Sequence, residues 1–492
     1  MCNFRSKKKP NAIAIDMGSD FMMGEIDQVQ RLHVKSYDLN GEMGFRLSQQ
    51  ESSQTFGVIT TRTITKQVDL KGKQIHRSDS VLSFNQEEEV EEAFFKIFDD
   101  QSFEVLDSYK LLPYETGLSC NNLTLGESED SLEDFYFIGT AFLQENEDEP
   151  SKGRILTFKI KKELRKEKKL TLINEILIDG AVYEILKLNY NKIVAGINQR
   201  VQIFKFFEEK IYKTISYHGQ ICTTNLNVLG NFIYVGDLVE SVTILSYTPP
   251  SEEKEEQLTE IAKDTENSWI SALENLNMDN VIGADSSFNL FTLKRQIDLY
   301  QEEGSEENNL NPLGLNNSSF NSNLFSGENL KTFGEYHLGD FVNRFRKGSL
   351  VRTDFGESYS LAKPKLLFVT VSGMIGVIGE LLAKDYFLLK EVEKRMRKVL
   401  GNVGDFCHEG WRNFQSLKKK NHSNFKNKNF LDGDYLEKFL DLNVKEKYLI
   451  CENLKYFKDD GEEVSEGSLL ETEVFVKMEV LNSIFEGLKR IH

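Results

Sequence analysis

Val201-Gln-Ile-Phe-Lys-Phe206 reads apolar, polar, apolar, apolar, polar, apolar, and this order returns along the chain. Val242-Thr-Ile-Leu-Ser-Tyr247 and Phe288-Asn-Leu-Phe-Thr-Leu293 repeat it. Gly153-Arg-Ile-Leu-Thr-Phe158 carries Gly in the first slot, and Ile375-Gly-Val-Ile-Gly-Glu380 departs only in the last. The separations are 48, 41, 46 and 87 residues, the last falling to about 50 once a polar insert over roughly 297–333 is set aside. The copies share neighbours. Five or six residues upstream lie stretches ending in Gly (Val194-Ala-Gly196, Tyr234-Val-Gly236, Val281-Ile-Gly283), and further upstream Ala181-Val-Tyr183, Ile221-Cys-Thr223 and Trp269-Ile-Ser271.

Short strands separated by turns at a period of 40 to 50 residues describe the blades of a β-propeller. One four-stranded blade cannot bury both of its faces, so blades must stack around an axis to make a core. An ordinary β-sandwich also alternates, but it does not require one three-strand set to recur in register. The expected fold is therefore mainly β: a seven-bladed, WD40-like propeller over residues 12–382, followed by a C-terminal α-helical domain over 383–492.

The 492 residues carry 78 acidic against 60 basic side chains, a net charge of −18. That balance argues against a surface that coats nucleic acid, which needs clustered excess Lys and Arg. It suits a protein that meets other proteins. Five Cys without paired spacing predict a reducing compartment. No apolar run approaches the roughly 18 residues that span a membrane. The basic start, Met1 to Pro10, is not followed by an apolar segment, so it is read as a solvated terminus or a weak nuclear-import patch and not a secretory signal.

Residues 12–66 already read as strands. Residues 67–92, ending in Glu87-Glu-Glu-Val-Glu-Glu92, read as an exposed loop, and 297–333, rich in Asn, Ser, Gly and Glu, as a disordered insert between two blade strands. After Leu382 the period shifts toward 3.6. Tyr386, Leu389, Val392, Met396, Val399 and Leu400 share one side of a helix. Two further helices are predicted near 433–453, with Asp434 as N-cap, and 468–490, with a loop between them at Asp459 to Glu466.

A search for catalytic chemistry returns nothing that outweighs a structural role. There is no phosphate-binding loop, no His pair at helical spacing, and no Cys pair spaced for zinc. Cys407-His408 reads as a buried Cys beside an exposed His. Gly373, Gly376 and Gly379 sit in a strand–turn–strand pattern, and His218 and His337 each look like the start of a strand. Neither a catalytic residue, a metal nor a cofactor is expected. A propeller without an active site works by recognition, with exposed aromatics as anchors. Trp269, Phe341 and Tyr336 are candidates, each equally readable as core.

Specific words then add to the periodicity. Gly24-Glu-Ile-Asp-Gln-Val-Gln-Arg-Leu-His33, Gly139-Thr-Ala141, Glu149-Pro150 with Lys152-Gly-Arg-Ile155, and Gly180-Ala-Val-Tyr183 come first. Val235-Gly-Asp-Leu238, Ser268-Trp-Ile-Ser-Ala272, Phe288-Asn-Leu-Phe291, His337-Leu-Gly-Asp-Phe-Val-Asn343 and Gly348-Ser-Leu-Val351 follow. Phe430-Leu-Asp-Gly-Asp434 and Leu488-Lys-Arg-Ile-His492 close the set. Together, in this order, they resemble the C-terminal part of the damage-specific DNA-binding protein 1 family, the large adaptors of cullin-4 ubiquitin ligases. The subunits of the polyadenylation and splicing complexes that share this C-terminal domain are more distant in the His337-Leu-Gly stretch and the Ile-His terminus.

The resemblance implies three propellers and a helical domain in the full adaptor, with a middle propeller for the cullin and a pocket between the outer two for substrate receptors. It implies that this chain holds the last propeller and the tail, as a shortened product or beside a separate chain supplying the missing propellers. Receptor-facing positions match at Glu149, Trp269, Phe341, Asn343 and Val371. They depart at Cys222, Thr224 and Asn225, at Glu240 where a basic residue is expected, and at Leu177 where an acidic one is. A reversed charge at an interface costs several kcal/mol, about enough to change receptor choice. The implied function is a non-enzymatic scaffold, nuclear and also cytoplasmic, that docks substrate receptors of a cullin-RING ligase in ubiquitination and DNA-damage repair, without membrane contact and touching nucleic acid only indirectly. The alternative is a nucleic-acid-binding subunit of an mRNA cleavage/polyadenylation or splicing complex. Its support is the basic runs Lys161 to Lys169, Lys394 to Lys398 and Lys418 to Lys420.

Overall fold

The computed structural model describes residues 2–6, 9–16, 21–25, 36–68, 86–144, 147–162, 168–251, 255–295, 328–350, 361–400, 407–413, 429–457 and 473–490. The chain divides into two compact units, Met1–Met43 and Gly44–His492. The small unit holds a three-stranded antiparallel sheet of β1 (Cys2–Ser6), β2 (Lys9–Asp16) and β3 (Phe21–Glu25), with β2 in the middle.

The large unit is a series of antiparallel sheets taken in chain order. The first is β4 (Met43–Gln50), β5 (Thr55–Val68), β6 (Gln86–Asp99) and β7 (Val105–Lys110). Next come β8 (Glu115–Leu125), β9 (Glu133–Phe142), β10 (Gly153–Lys162) and β11 (Lys168–Ile178), then β12 (Val182–Asn189), β13 (Lys192–Ile197), β14 (Arg200–Phe207) and β15 (Lys210–His218). The fourth holds β16 (Thr223–Leu229), β17 (Phe232–Asp237), β18 (Ser241–Thr248) and β19 (Gln257–Asp264). The fifth holds β20 (Ile270–Asn275), β21 (Asn280–Asp285), β22 (Asn289–Arg295) and β23 (Glu328–His337). β24 (Val342–Lys347), β25 (Lys363–Thr370) and β26 (Ile375–Glu380) make the sixth.

Strand order within each blade follows chain order, a parallel pairing of β19 with β23 joins the fourth and fifth blades edge to edge into one eight-stranded sheet, and the first strands β8, β12, β16, β20 and β24 each touch the next. First strands therefore lie innermost and fourth strands outermost, as in a β-propeller. The large unit thus holds six blade-like sheets among the described residues, and the small unit holds a three-stranded sheet of its own.

The five copies of the six-residue pattern all fall on the third strand of a sheet. Both faces of that strand press on neighbours, so Val201 to Phe204 are all buried despite the polar Gln202. In four of the copies the pairing to the fourth strand shifts register inside the pattern, at Thr157/Phe158, Gln202/Phe204, Ile244/Leu245 and Thr292/Leu293. Such bulges increase the local twist. The recurrent second-strand Gly has an equally local cause. A Cβ on Gly139 would lie 2.7 Å from Val182, and one on Gly196 2.7 Å from Thr223, each at the start of the next blade's inner strand. Only Gly admits that approach. Core clusters accordingly combine residues of successive blades, such as Phe135, Ile155, Val182, Ile193 and Phe204.

The tail contains α1 (Ala383–Leu400), α2 (His408–Trp411), α3 (Gly433–Glu437), α4 (Val444–Cys451), a hairpin of β27 (Lys455–Phe457) and β28 (Glu473–Phe475), and α5 (Met478–Lys489). Leu389, Val392, Met396, Phe439, Ile450 and Phe485 form its core. It meets the propeller at β23: Arg412 donates to the carbonyls of His337 (3.3 Å) and Leu338 (3.0 Å), and Phe430 packs on Tyr336.

Several expectations change. Gln86 to Glu92 are not loop but strand, paired in register with Arg62 to Val68 so that Arg62 lies opposite Glu92. Residues 328–333 belong to β23, Leu330 to Thr332 pairing with β22 and Glu328 to Leu330 running parallel to β19; the rest of the expected insert lies outside the described residues, as do 69–85. The helix expected over 433–453 is two, interrupted by turns at 438–443, and the one over 468–490 begins only at Met478, after β28. The N-cap is Asp432, whose carboxylate accepts the Tyr435 N–H at 3.1 Å; Asp434 lies inside the helix. The Asp459 to Glu466 loop lies outside the described residues. Cys407 is exposed and caps α2, while His408 is the more buried of the two, stacked on Tyr435. His218 and His337 end strands. The Gly373 turn between β25 and β26 stands as read.

Candidate partner-docking face

Because the strands of a blade are antiparallel, the loop leading into its first strand and the loop joining its second and third emerge on one face. A hydrogen bond ties these loops together in each blade from the second to the sixth. Leu143 N–H donates to Tyr114 O (2.8 Å), Asn198 to Ala181 (3.3 Å), Leu238 to Cys222 (2.9 Å), Ser286 to Trp269 (2.9 Å) and Val371 to Phe341 (3.0 Å). Tyr114, Ala181, Cys222, Trp269 and Phe341 are thus equivalent positions of five successive blades.

Buried carboxylates brace this face. Asp237, fully buried at the end of β17, accepts the N–H groups of Ile221 (2.8 Å) and Cys222 (2.8 Å) with one oxygen, and of Val239 (2.8 Å) and Glu240 (2.9 Å) with the other. Asp285 takes the same place in the next blade, holding Ser287 and Asn289. Asn198 bridges the Ala181 N–H (2.6 Å) and the Pro150 carbonyl (3.0 Å). In the second blade Glu115 is clamped by Arg154, Thr140 and the Leu112 N–H. The loops are fixed from below, which is what a recognition surface needs.

Four of the five site residues expected from the resemblance, Glu149, Trp269, Phe341 and Val371, lie on the loops of this face, and Asn343 lies one residue into β24. Val371 (69 % exposed) and Phe341 (half-buried) are adjacent through their hydrogen bond, and Asn343 is exposed. Trp269 (53 % exposed) heads the neighbouring inner strand, β20, which touches β24. Glu149 sits further round, within electrostatic reach of Tyr183 and Cys222; burial raises the pKa of both. Tyr336, the third aromatic candidate, is core at 6 % exposure.

The departures also find places. Leu177, Ile221, Leu238 and Phe288 are exposed on this face and extend its apolar character. Glu240 is paired with Lys263 at 2.6 Å, so the reversed charge is partly compensated within the fold. Buried polar atoms without a hydrogen-bond partner among the described residues include Glu149 Oε1 and both side-chain amide atoms of Gln220 on this face. Sequence reasoning missed Gln220, which follows no pattern. It also missed Asp237 and Asp285, although the Gly236-Asp and Gly283-Ala-Asp words were legible. Among the described residues no group of His, Cys, Asp or Glu is arranged to hold a metal, and no helix is long and apolar enough to cross a membrane.

Fold and face define a β-propeller protein with a helical C-terminal tail. The chain belongs to the CPSF A subunit region family, whose model matches residues 92–441. It is 34% identical over 452 residues to DNA damage-binding protein 1 of Solanum lycopersicum, an alignment covering 90% of this chain and 36% of that protein. Identity to the Arabidopsis thaliana proteins is 34% over 447 residues for DNA damage-binding protein 1a (90% of this chain, 36% of the relative) and 33% over 501 for 1b (100% and 38%). The resemblance read from the sequence is thereby borne out, and the chain spans little more than a third of the length of these relatives.

Proposed function

We propose that this chain is a non-enzymatic protein-interaction scaffold whose propeller face docks substrate-receptor proteins of a cullin-RING ubiquitin ligase, in ubiquitination and DNA-damage repair, with nuclear and also cytoplasmic placement. The division into a propeller over 12–382 and a helical domain over 383–492 is part of this reading, as is a separate chain supplying further propellers. The observation that carries it is the shared face: equivalent positions of successive blades present Tyr114, Trp269 and Phe341 beside exposed Val371, while Glu149 and Gln220 offer unmatched buried polar groups. Rigid aromatics with polar groups awaiting partners are how interface energy is concentrated. A helical segment of a partner suits such a surface, its apolar stripe covering Trp269 and Val371.

The test is affinity capture with the tagged chain and with Trp269→Ala/Val371→Asp, read by mass spectrometry. Receptor-type proteins captured by the parent and lost from the variant support the reading; recovery of RNA-processing proteins alone rejects it. The nucleic-acid alternative draws less from the molecule. In the run Lys394 to Lys398, Lys394 and Arg395 pair with Glu391, and Arg397 with Glu393 and Glu409. The 418–420 run lies outside the described residues.

A further inference from the structure

The inner strands enclose a cavity of about 280 Å³ among β8, β12, β16, β20 and β24. Its polar lining is Lys187, Asn225, Asn227, Glu274, Arg344 and Arg346. The carboxylates near it are already engaged. Glu184 is gripped by both terminal nitrogens of Arg344 (2.8 and 2.9 Å) and by the Asn121 amide (2.9 Å). Glu274 accepts from Asn227 at 2.5 Å and lies 3.6 Å from Lys347.

Three cations are left over. Lys187 and Arg346 make no hydrogen bond or ion pair among the described residues, and Arg46, on β4, spends only its Nε and one terminal nitrogen, on backbone carbonyls. Arg46 and Arg346 both stand within electrostatic reach of Arg344, and burial followed by that like charge, in Arg346, lowers the guanidinium pKa. The lining itself sets three cations (Lys187, Arg344, Arg346) against one carboxylate (Glu274); counting Arg46, Lys347 and Glu184 beside it, five cations meet two carboxylates, a surplus of three in a chain whose net charge is −18. Helix caps, strand pairing and core packing explain none of this surplus. Walls of low dielectric concentrate its field in the cavity. Guanidinium groups offer forked donors matched to phosphate oxygens, and Lys adds a point charge.

We propose that this axial cavity is a binding site for a di- or triphosphate anion, held by Arg346 and Lys187, with Arg344 kept in place by Glu184 and Arg46 adding its charge from beside the site. The anion completes the inner wall of the propeller and links the sixth blade to the third. Its charge matches the surplus, whereas a single orthophosphate leaves part of it unmatched. The same chemistry is offered by free polyphosphate and by the tail of a nucleoside triphosphate.

Calorimetry on the full chain at low ionic strength, titrating sodium tripolyphosphate, tests this. The expected result is one site per chain, with affinity falling as salt is added. Lys187→Ser/Arg346→Ser is expected to weaken binding at least about tenfold, since each charge-assisted bond lost is worth that much, while its melting temperature without ligand is unchanged or higher because like charges are removed. If the double variant does not fold, Lys187→Gln alone carries the test. ATP binding as tightly as tripolyphosphate assigns the nucleotide tail as a sufficient ligand; no binding of ATP assigns the free polyphosphate. No binding to the parent chain, unaltered binding to the folded variant, or equal affinity for sulfate and orthophosphate overturns the proposal.

Discussion

The carbonyl oxygens of Trp269 and Phe341 serve the same purpose in neighbouring blades: the first accepts the Ser286 N–H at 2.9 Å and the second the Val371 N–H at 3.0 Å. The two aromatics are therefore placed by backbone geometry and not by their own packing, which leaves Trp269 half in water. Trp269→Ala should consequently leave the melting temperature within about 2 °C of the parent, since surface changes are usually worth less than about 0.5 kcal/mol. The same change should weaken binding of a captured partner by about 2 kcal/mol or more, roughly thirtyfold. Scanning calorimetry and a binding titration read the two effects separately.

Glu115 has no contact with solvent, and Arg154 reaches it from β10 with Nε at 2.8 Å. Removing one partner of such a pair leaves an uncompensated buried charge. Glu115→Ala is expected to destabilise by about 3–5 kcal/mol, against less than about 1 kcal/mol for Lys365→Ala, whose pair with Glu380 is exposed. Urea unfolding of the two variants measures the contrast.

Asp237 supports four backbone N–H groups with one carboxylate. Asp237→Ala leaves these donors without acceptors beneath the docking face, at a cost of about 3 kcal/mol or more. Faster amide exchange at Ile221, Cys222, Val239 and Glu240 should accompany the loss, with the other blades unchanged.

Asp432, the N-cap of α3, ties that helix to His408 and Arg412 of the α2 segment. Burial alone would raise its pKa, but the His408 hydrogen bond and the Arg412 charge hold the carboxyl down at about 2, below its ordinary 3.8. A depressed carboxylate adds stability above its unfolded value and loses it as the pH falls through the folded one. Asp432→Asn should thus cost about 2 kcal/mol at pH 7. The difference from the parent should shrink between about pH 4 and pH 2, as stability measured against pH will report.

The blade period was legible because a strand buried on both faces must be apolar at nearly every position, and because Gly is needed wherever the next inner strand presses in, as at Gly139 and Gly196. The tail was read less well. Its first helix carries a clear stripe through Leu389, Val392 and Met396, but α3, α4 and the β27–β28 hairpin are too short for any period to show. Asp432 and Asp434 are indistinguishable as caps until the turn is seen. The acidic run at 87–92 reads as loop in sequence because the strand it pairs with lies some 20 to 30 positions away, Arg62 meeting Glu92 across the sheet. The basic cavity was illegible for the same reason on a larger scale. Arg46, Lys187 and Arg346 are 300 residues apart from first to last and meet only when inner strands share an axis.

Site-specific photo-crosslinking reads the docking face itself, with a photoreactive residue at Trp269 and, as the control, at Asn231 in the first-to-second-strand loop of the fourth blade on the opposite face. A docking face at these loops gives protein adducts at 269 that disappear when Val371→Asp is added, and none of comparable yield at 231. Equal adducts at both positions, or adducts at 269 that survive Val371→Asp, would contradict it.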